Sequence, residues 1–325
     1  MKRTTFAALA VAMLCLCAGC QTDFYAKQIL TPDRPPAAGL LQSLTSSGER
    51  LVKTGQIDLH RRLTMPDGVE IDVWAINAEV TAAALASRGT VVLLHGMGDS
   101  KASYLQAGKR LANSGYDAVL LDLRAHGRSG GQYITYGALE KQDVKAVLDA
   151  LLGEGKVNEP VYVFGRNLGA ATAIQYAAID PRCKGVVALT PYKDAASIAR
   201  RRLVPLAPAM SNEDFEAVLA RAGELAGFKP EEASSELAAL NLTCPILLVH
   251  GLLDAIVPLE HSPLSHSEAI HLAARGAKKL EIVAPGPQQL DLVARFDHWV
   301  VERIDLVAAG LVEDPPHPDA PSARP

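Results

Sequence analysis

Hydrophobic positions in this chain follow two periods. Between residues 57 and 77 apolar and polar side chains alternate on both sides of Pro66-Asp67-Gly68, from Ile57 to Thr64 and from Val69 to Asn77, which predicts a β-hairpin. From residue 90 the pattern changes. Short, nearly continuous apolar runs, Thr90 to Leu94, Ala118 to Leu123, Val161 to Phe164, Val186 to Leu189, Ile246 to Val249 and Leu280 to Val283, are separated by segments of helical period. These segments include Ala102 to Asn113, an amphipathic stretch from Leu139 to Leu152 with Glu140, Asp143 and Lys145 on its outward face, and an Ala-rich stretch after Gly165. A last one runs from about Leu290 to Ala309. Strands that are apolar on both sides must be covered on both faces. The pattern therefore predicts an α/β fold, a mostly parallel eight-stranded sheet between helices, entered through the antiparallel hairpin. Between Pro191 and Asn241 helical, Arg-rich and Pro-broken sequence interrupts the alternation.

The ends read differently. Residues 1–20 read as a signal segment: Lys2 and Arg3 precede an apolar run, Phe6 to Leu16, too short for the roughly 18 residues of a membrane span. The ending Leu16-Cys17-Ala18-Gly19-Cys20 resembles a bacterial lipoprotein signal, which implies a lipidated Cys20 as the mature N-terminus; a plainly cleaved signal and an uncleaved anchor are the alternatives. Cys17 stands where such signals usually carry Leu. Gln21 after the cysteine resembles outer-membrane retention and implies the periplasmic face of that membrane. Several acyl chains at ~0.8 kcal/mol per buried CH₂ hold where a single chain is marginal. Residues 21–54 read as a linker or tether with prolines at 32, 35 and 36, residues 55–310 as the domain, and residues 311–325, rich in proline, as a disordered tail.

At 325 residues, 49% hydrophobic and a net charge of −4, the chain can bury a large core and offers no electrostatic case for nucleic acid. Of five cysteines, Cys183 and Cys244 remain once the signal is set aside. Each lies just ahead of an apolar strand at a matching distance, so neighbouring parallel strands bring the thiols side by side. In an oxidising compartment they are placed to form a disulfide; two small buried hydrophobes is the alternative reading.

Four motifs carry the chemistry. His95-Gly96-Met97-Gly98-Asp99-Ser100 follows the third strand and Asp122-Leu123-Arg124-Ala125-His126-Gly127-Arg128-Ser129-Gly130-Gly131 the fourth. Gly165-Arg166-Asn167-Leu168-Gly169 follows the fifth, and His250-Gly251-Leu252-Leu253-Asp254-Ala255-Ile256-Val257-Pro258 the seventh. In this order and spacing they resemble the α/β-hydrolase superfamily, in the branch of serine aminopeptidase-like and monoacylglycerol lipase-like proteins, over roughly residues 55 to 310. The resemblance implies that residues 191–241 are a cap over the pocket. It also implies a nucleophile elbow, G-x-S-x-G, at Asn167, an acid at Asp254, and oxyanion donors in the backbone N–H groups of Met97 and Leu168. His95, Gly96 and Arg166 are expected beside the pocket.

Two triad positions depart from the family. Asn167 stands where the serine belongs, and an amide is no nucleophile. The base is expected in a Pro-Gly-x-x-His segment, which reads Pro285-Gly286-Pro287-Gln288-Gln289 and places Gln289, or Gln288, where the imidazole should be. Neither can take and return a proton near neutral pH. Other candidates carry bland readings. His298 sits in a helical stretch nine residues beyond Gln289, and His126 and Ser129 shape a loop. Ser100 reads as a helix N-cap. The histidines 261, 266 and 271 recur every five residues, about 500° of helix, so neighbours point some ~140° apart and no metal site is expected. Arg200-Arg201-Arg202 reads as a solvated face, with contact to anionic headgroups as the sharper alternative.

The expectation is a lipid-anchored envelope protein, a pseudo-hydrolase that keeps its pocket for an acyl or hydrophobic ligand or for scaffolding, without cofactor. The alternative is a divergent esterase or lipase working on acyl or lipid esters through a rearranged site.

Overall fold

The computed structural model describes residues 21–32, 47–79, 86–252, 254, 257, 266–284 and 295–312. Residues 21–30 form helix α1 and Gly48–Lys53 helix α2. The predicted hairpin follows as β1 (Leu59–Thr64) and β2 (Glu70–Ile76). Then come β3 (Thr90–Leu94), a short 3₁₀ turn (Lys101–Tyr104) leading into α3 (Leu105–Asn113), β4 (Asp117–Leu121), α4 (Glu140–Gly153), β5 (Val161–Arg166), α5 (Leu168–Ala177) and β6 (Cys183–Leu189). The cap region holds α6 (Ala195–Leu203), α7 (Asn212–Ala226) and α8 (Ser235–Ala239). The chain returns through β7 (Ile246–Gly251), α9 (His266–Ala273), β8 (Lys278–Val283) and α10 (Phe296–Ala308).

The strands form one eight-stranded sheet in the order β1-β2-β4-β3-β5-β6-β7-β8. β1 with β2 and β2 with β4 are antiparallel; every other neighbouring pair is parallel. Alternate residues of one strand serve opposite faces. Val92 and Leu94 pack with α4 and α5 residues such as Val144, Leu148 and Ile174, while Val91 and Leu93 pack with Leu111, Trp299 and Val300 of α3 and α10. This is why β3 is apolar throughout. Strand order reverses at β3, and in sheets of this kind the crevice beyond the strand ends at such a point is where ligands bind.

Three expectations need correction. Glu140 and Asp143 of α4 face inward, not outward, and both are buried. Glu140 accepts from the backbone N–H groups of Thr135 and Gly137 at 2.8 Å each. Asp143 takes both guanidinium hydrogen bonds of Arg124, at 2.7 and 2.8 Å. Burial pushes the Asp143 carboxyl up to about 6 while Arg124 pulls it down; the short bidentate geometry marks the pair as ionised at neutral pH. A helical wheel cannot show this, because the partners lie in loops.

The segment read as a tether starts with a helix that belongs to the core. Ala26, Ile29 and Leu30 of α1 are fully buried, Ile134 N–H donates to the Leu30 carbonyl at 3.0 Å, and Arg221 of α7 donates to Asp23 at 2.6 Å. Outside the helix, the buried members of the core cluster it joins begin at Met65, so no local signal marks it. Thirdly, Cys183 and Cys244 are neighbours, as the strand register requires, but both are free thiols and no disulfide joins them. The signal segment with Cys20, and the 313–325 part of the tail, lie outside the described residues.

Candidate active site

The bend between β5 and α5 is tight because two glycines permit it. A Cβ on Gly165 would sit 2.2 Å from the Gly169 carbonyl oxygen, and one on Gly169 would sit 2.3 Å from that of Leu94. Helix and strand therefore meet at backbone contact. Asn167, between them, holds φ 51° and ψ −112°, a conformation non-glycine residues rarely adopt and which costs on the order of 1–3 kcal/mol. Its N–H donates to the Leu189 carbonyl and its carbonyl accepts from Ala171 N–H, so the surrounding backbone holds the strain in place. The bend has the form that the resemblance to G-x-S-x-G implies, with an amide at its centre.

The Asn167 side chain does not simply point outward. Its Oδ1 accepts from the N–H of Leu168 at 2.8 Å. That N–H is one of the two backbone donors expected to receive an oxyanion, so the amide oxygen already occupies half of that site.

Asn167 opens into a cavity of about 650 Å³. Gly96 and Met97 after β3, Arg166 and Asn167 at the elbow, Thr190 after β6 and Asp254 after β7 reach it from the sheet; Ile198, Arg201, Arg202, Val204, Pro205 and Leu206 reach it from the cap, and Gln28 from α1. The structure thus brings Asn167, Asp254, Met97, Gly96 and Arg166 to one cavity. Gln289 and Gln288 lie outside the described residues. His95 is not part of the lining. It is fully buried, donating from Nδ1 to the Gly96 carbonyl at 2.8 Å and accepting at Nε2 from Leu123 N–H at 3.0 Å. It thereby ties the loops after β3 and β4 together. Burial holds its imidazole below the usual histidine range.

Among the described residues no histidine lines the cavity. His126 Nε2 accepts from Gly98 N–H and its Nδ1 faces the Arg124 carbonyl, while Ser129 Oγ donates to the Asp122 carbonyl and accepts from Asp72 N–H. That excludes a Ser129/His126 dyad. His298 is exposed in the first turn of α10. His250 braces the acid loop: Nδ1 accepts from the Ser267 hydroxyl and Nε2 donates to the Val257 carbonyl, each at 2.6 Å. Val257 N–H in turn donates to Asp254 at 2.8 Å. Ser100 stands at the N-cap position, but its side chain makes no capping bond; Asp122 does that work, accepting from Lys101 N–H at 2.8 Å. The Lys101 ammonium lies buried between Asp72 and Asp122 and under the Trp74 ring.

Sequence reasoning missed Thr190, Gln28 and the arginines of α6. Thr190 holds φ 49° at the cavity wall. Arg202, read as a solvated face, donates to the carbonyls of Ile29 at 2.9 Å and Thr31 at 2.7 Å and approaches the Met97 sulfur at 3.0 Å. It pins the cap, α1 and the β3 loop at one point. Arg200 stacks on the Phe215 ring. The run Arg200-Arg201-Arg202 at one end of a helix was the available signal, because consecutive residues there face different directions.

Comparison with known proteins agrees with the fold. A family model described as serine aminopeptidase, S33, matches residues 86–215. An uncharacterised Bacillus subtilis protein, YqkD, is 26% identical over 206 residues, which are 61% of this chain and 64% of that protein. A monoacylglycerol lipase of Mycolicibacterium smegmatis is 25% identical over 275 residues, covering 73% of this chain and 95% of the lipase. Among solved structures, the Pyrococcus furiosus esterase Pf2001 superimposes with a TM-score of 0.59 at 21% identity, covering 86% of this chain and 97% of the esterase.

Proposed function

Given a chain that belongs to the α/β-hydrolase superfamily, in its serine aminopeptidase-like branch, we propose that it is a pseudo-hydrolase that binds an acyl ligand without cleaving it and is held at the cell envelope by a lipidated Cys20. The observation that carries this reading is the hydrogen bond from Leu168 N–H to Asn167 Oδ1. One substitution removes the attacking oxygen and occupies a donor that would stabilise its product. The glutamines at 288 and 289 supply no base. Asp254 remains in the cavity lining, where it accepts from Val257 N–H at 2.8 Å. The apolar cap residues Ile198, Val204 and Leu206 give an acyl chain a surface.

A divergent esterase or lipase is the second reading, favoured by the relatives named as a monoacylglycerol lipase and an esterase. An activity-based fluorophosphonate, applied with short acyl esters to the purified protein, separates the two. The pseudo-hydrolase takes up no label and releases no acid. Labelling of any serine that also blocks turnover favours the enzyme. Palmitate labelling of cells expressing the chain, with and without Cys20→Ala, tests the anchor; label that persists in the variant counts against it.

A further inference from the structure

An anchor at Cys20 would leave no tether between membrane and domain. Helix α1 begins at residue 21, and consecutive Cα atoms are about 3.8 Å apart, so the anchoring residue stays within one residue's reach of α1. That helix is fixed to the domain near both ends. Asp23 accepts from Arg221 of α7 at 2.6 Å, Arg202 of α6 donates to the carbonyls of Ile29 and Thr31 at 2.9 and 2.7 Å, and Ala26, Ile29 and Leu30 are fully buried. An anchor on such a helix limits how far the whole domain can stand from the bilayer.

The outer face of α1 leads to the cavity. Gln21, Phe24 and Gln28 are exposed and follow one another at intervals of three and four residues, so they share one stripe of the helix. Gln28 lines the cavity together with Val204, Pro205 and Leu206 of the cap. Seven residues of helix put Gln28 about 10 Å from Gln21, which brings this edge of the cavity within about 15 Å of the anchor. Val204 and Leu206 line the cavity and are also 47% and 52% exposed, which places them at its mouth, and Phe24 on the stripe is 52% exposed.

A domain held at that distance can stand on the tip of α1 or lie on the stripe. Only the second orientation takes Phe24, Val204 and Leu206 out of water, and apolar side chains of this size gain from entering the boundary of headgroups and acyl chains. We propose that the rim formed by the outer face of α1 and residues 204–206 rests on the bilayer that holds Cys20, so that the cavity takes its acyl ligand from the membrane side. This rests on the anchored, acyl-binding reading above and adds to it the orientation of the domain and the direction from which the ligand comes.

The test is fluorescence quenching on vesicles of phosphatidylcholine brominated on its acyl chains, with the full chain purified from membranes in detergent and reconstituted. Trp74 and Trp299 are buried, so a tryptophan placed at an exposed site adds emission that is read against the unmodified chain. Phe24→Trp and Leu206→Trp report on the rim; Ile179→Trp, past the end of α5 that lies away from the cavity, is the comparison. The proposal expects the added emission at both rim positions to lose at least about twice the fraction lost at Ile179→Trp. Equal quenching at all three positions, or more at Ile179→Trp, overturns it. Hydrogen exchange of the unmodified chain decides should a variant fold poorly: the vesicles are expected to slow exchange across residues 202–207 and not across 176–180, and unchanged exchange across 202–207 overturns the proposal. Flotation of the chain and of Cys20→Ala with the vesicles separates the orientation from the anchor. Flotation that Cys20→Ala abolishes, together with equal quenching, keeps the anchor and overturns the docking face. Rim quenching retained in Cys20→Ala keeps the face and overturns the anchor, and a chain that does not float at all overturns both. Ester turnover bears on the non-catalytic reading and not on the orientation.

Discussion

The amide oxygen of Asn167 lies 2.8 Å from the backbone nitrogen of Leu168, closing the nucleophile position onto the donor beside it. On the proposed reading that N–H would otherwise be the donor for a developing oxyanion. On that reading the substitution therefore acts on attack and on stabilisation together.

Restoring one part should not restore the reaction. Asn167→Ser opens the donor and supplies a hydroxyl but no base, and is expected to remain at background in p-nitrophenyl butyrate turnover. Asn167→Ser/Gln289→His supplies both and should exceed the single variant by about 100-fold, the low end of what a positioned base contributes. Activity in the single variant would mean that another histidine serves the site.

Helix α1 is a structural element. Ile29→Ala and Leu30→Ala each remove a fully buried side chain and should cost about 2–4 kcal/mol in denaturant unfolding. A change below about 0.5 kcal/mol, as expected at exposed positions, would mean that this segment does not pack as described.

Acid should weaken the fold through histidines buried in the neutral form. Burial pushes His266 down to about 4 and lowers His95 and His250 in the same direction. Between pH 6.5 and 4 the unfolded chain therefore binds more protons than the folded one, so stability present above that window is lost as pH falls through it. His266→Gln should flatten the unfolding midpoint against pH by an amount on the order of 2 kcal/mol. An unchanged profile would show that His266 titrates normally in the fold.

The Arg124 and Asp143 pair has the opposite pH signature. Arg124→Met strands a buried carboxylate and should cost about 3–5 kcal/mol at pH 7.5. Without the guanidinium the Asp143 carboxyl rises above its present value of about 6, so it is protonated at pH 5 and the cost relative to wild type shrinks there. A deficit equal at both pH values would mean that Asp143 is already neutral in the native protein.

Most of the sheet can be read from the chain, since runs such as Thr90 to Leu94 are apolar on both faces and only a covered parallel strand requires that. The elbow was legible for a similar reason: Gly165 and Gly169 are where a Cβ would strike backbone. Contacts made between distant segments were not legible. The inward carboxylates of α4 depend on Thr135 and Arg124, and Ile29 is buried in a core cluster whose buried members outside its own helix begin at Met65. The placing of Asn167 and Asp254 at the same cavity followed from motif order. The self-contact of Asn167 did not, because a side chain's choice between a cavity and its own helix N–H turns on local torsions that residue spacing does not express.

The account stands most directly on acyl ester turnover by the unmodified full chain, measured as acid released from p-nitrophenyl butyrate and monooctanoylglycerol alongside Asn167→Ala. It predicts that both proteins release acid at the rate of buffer alone. Turnover by the unmodified chain that disappears in Asn167→Ala would contradict it.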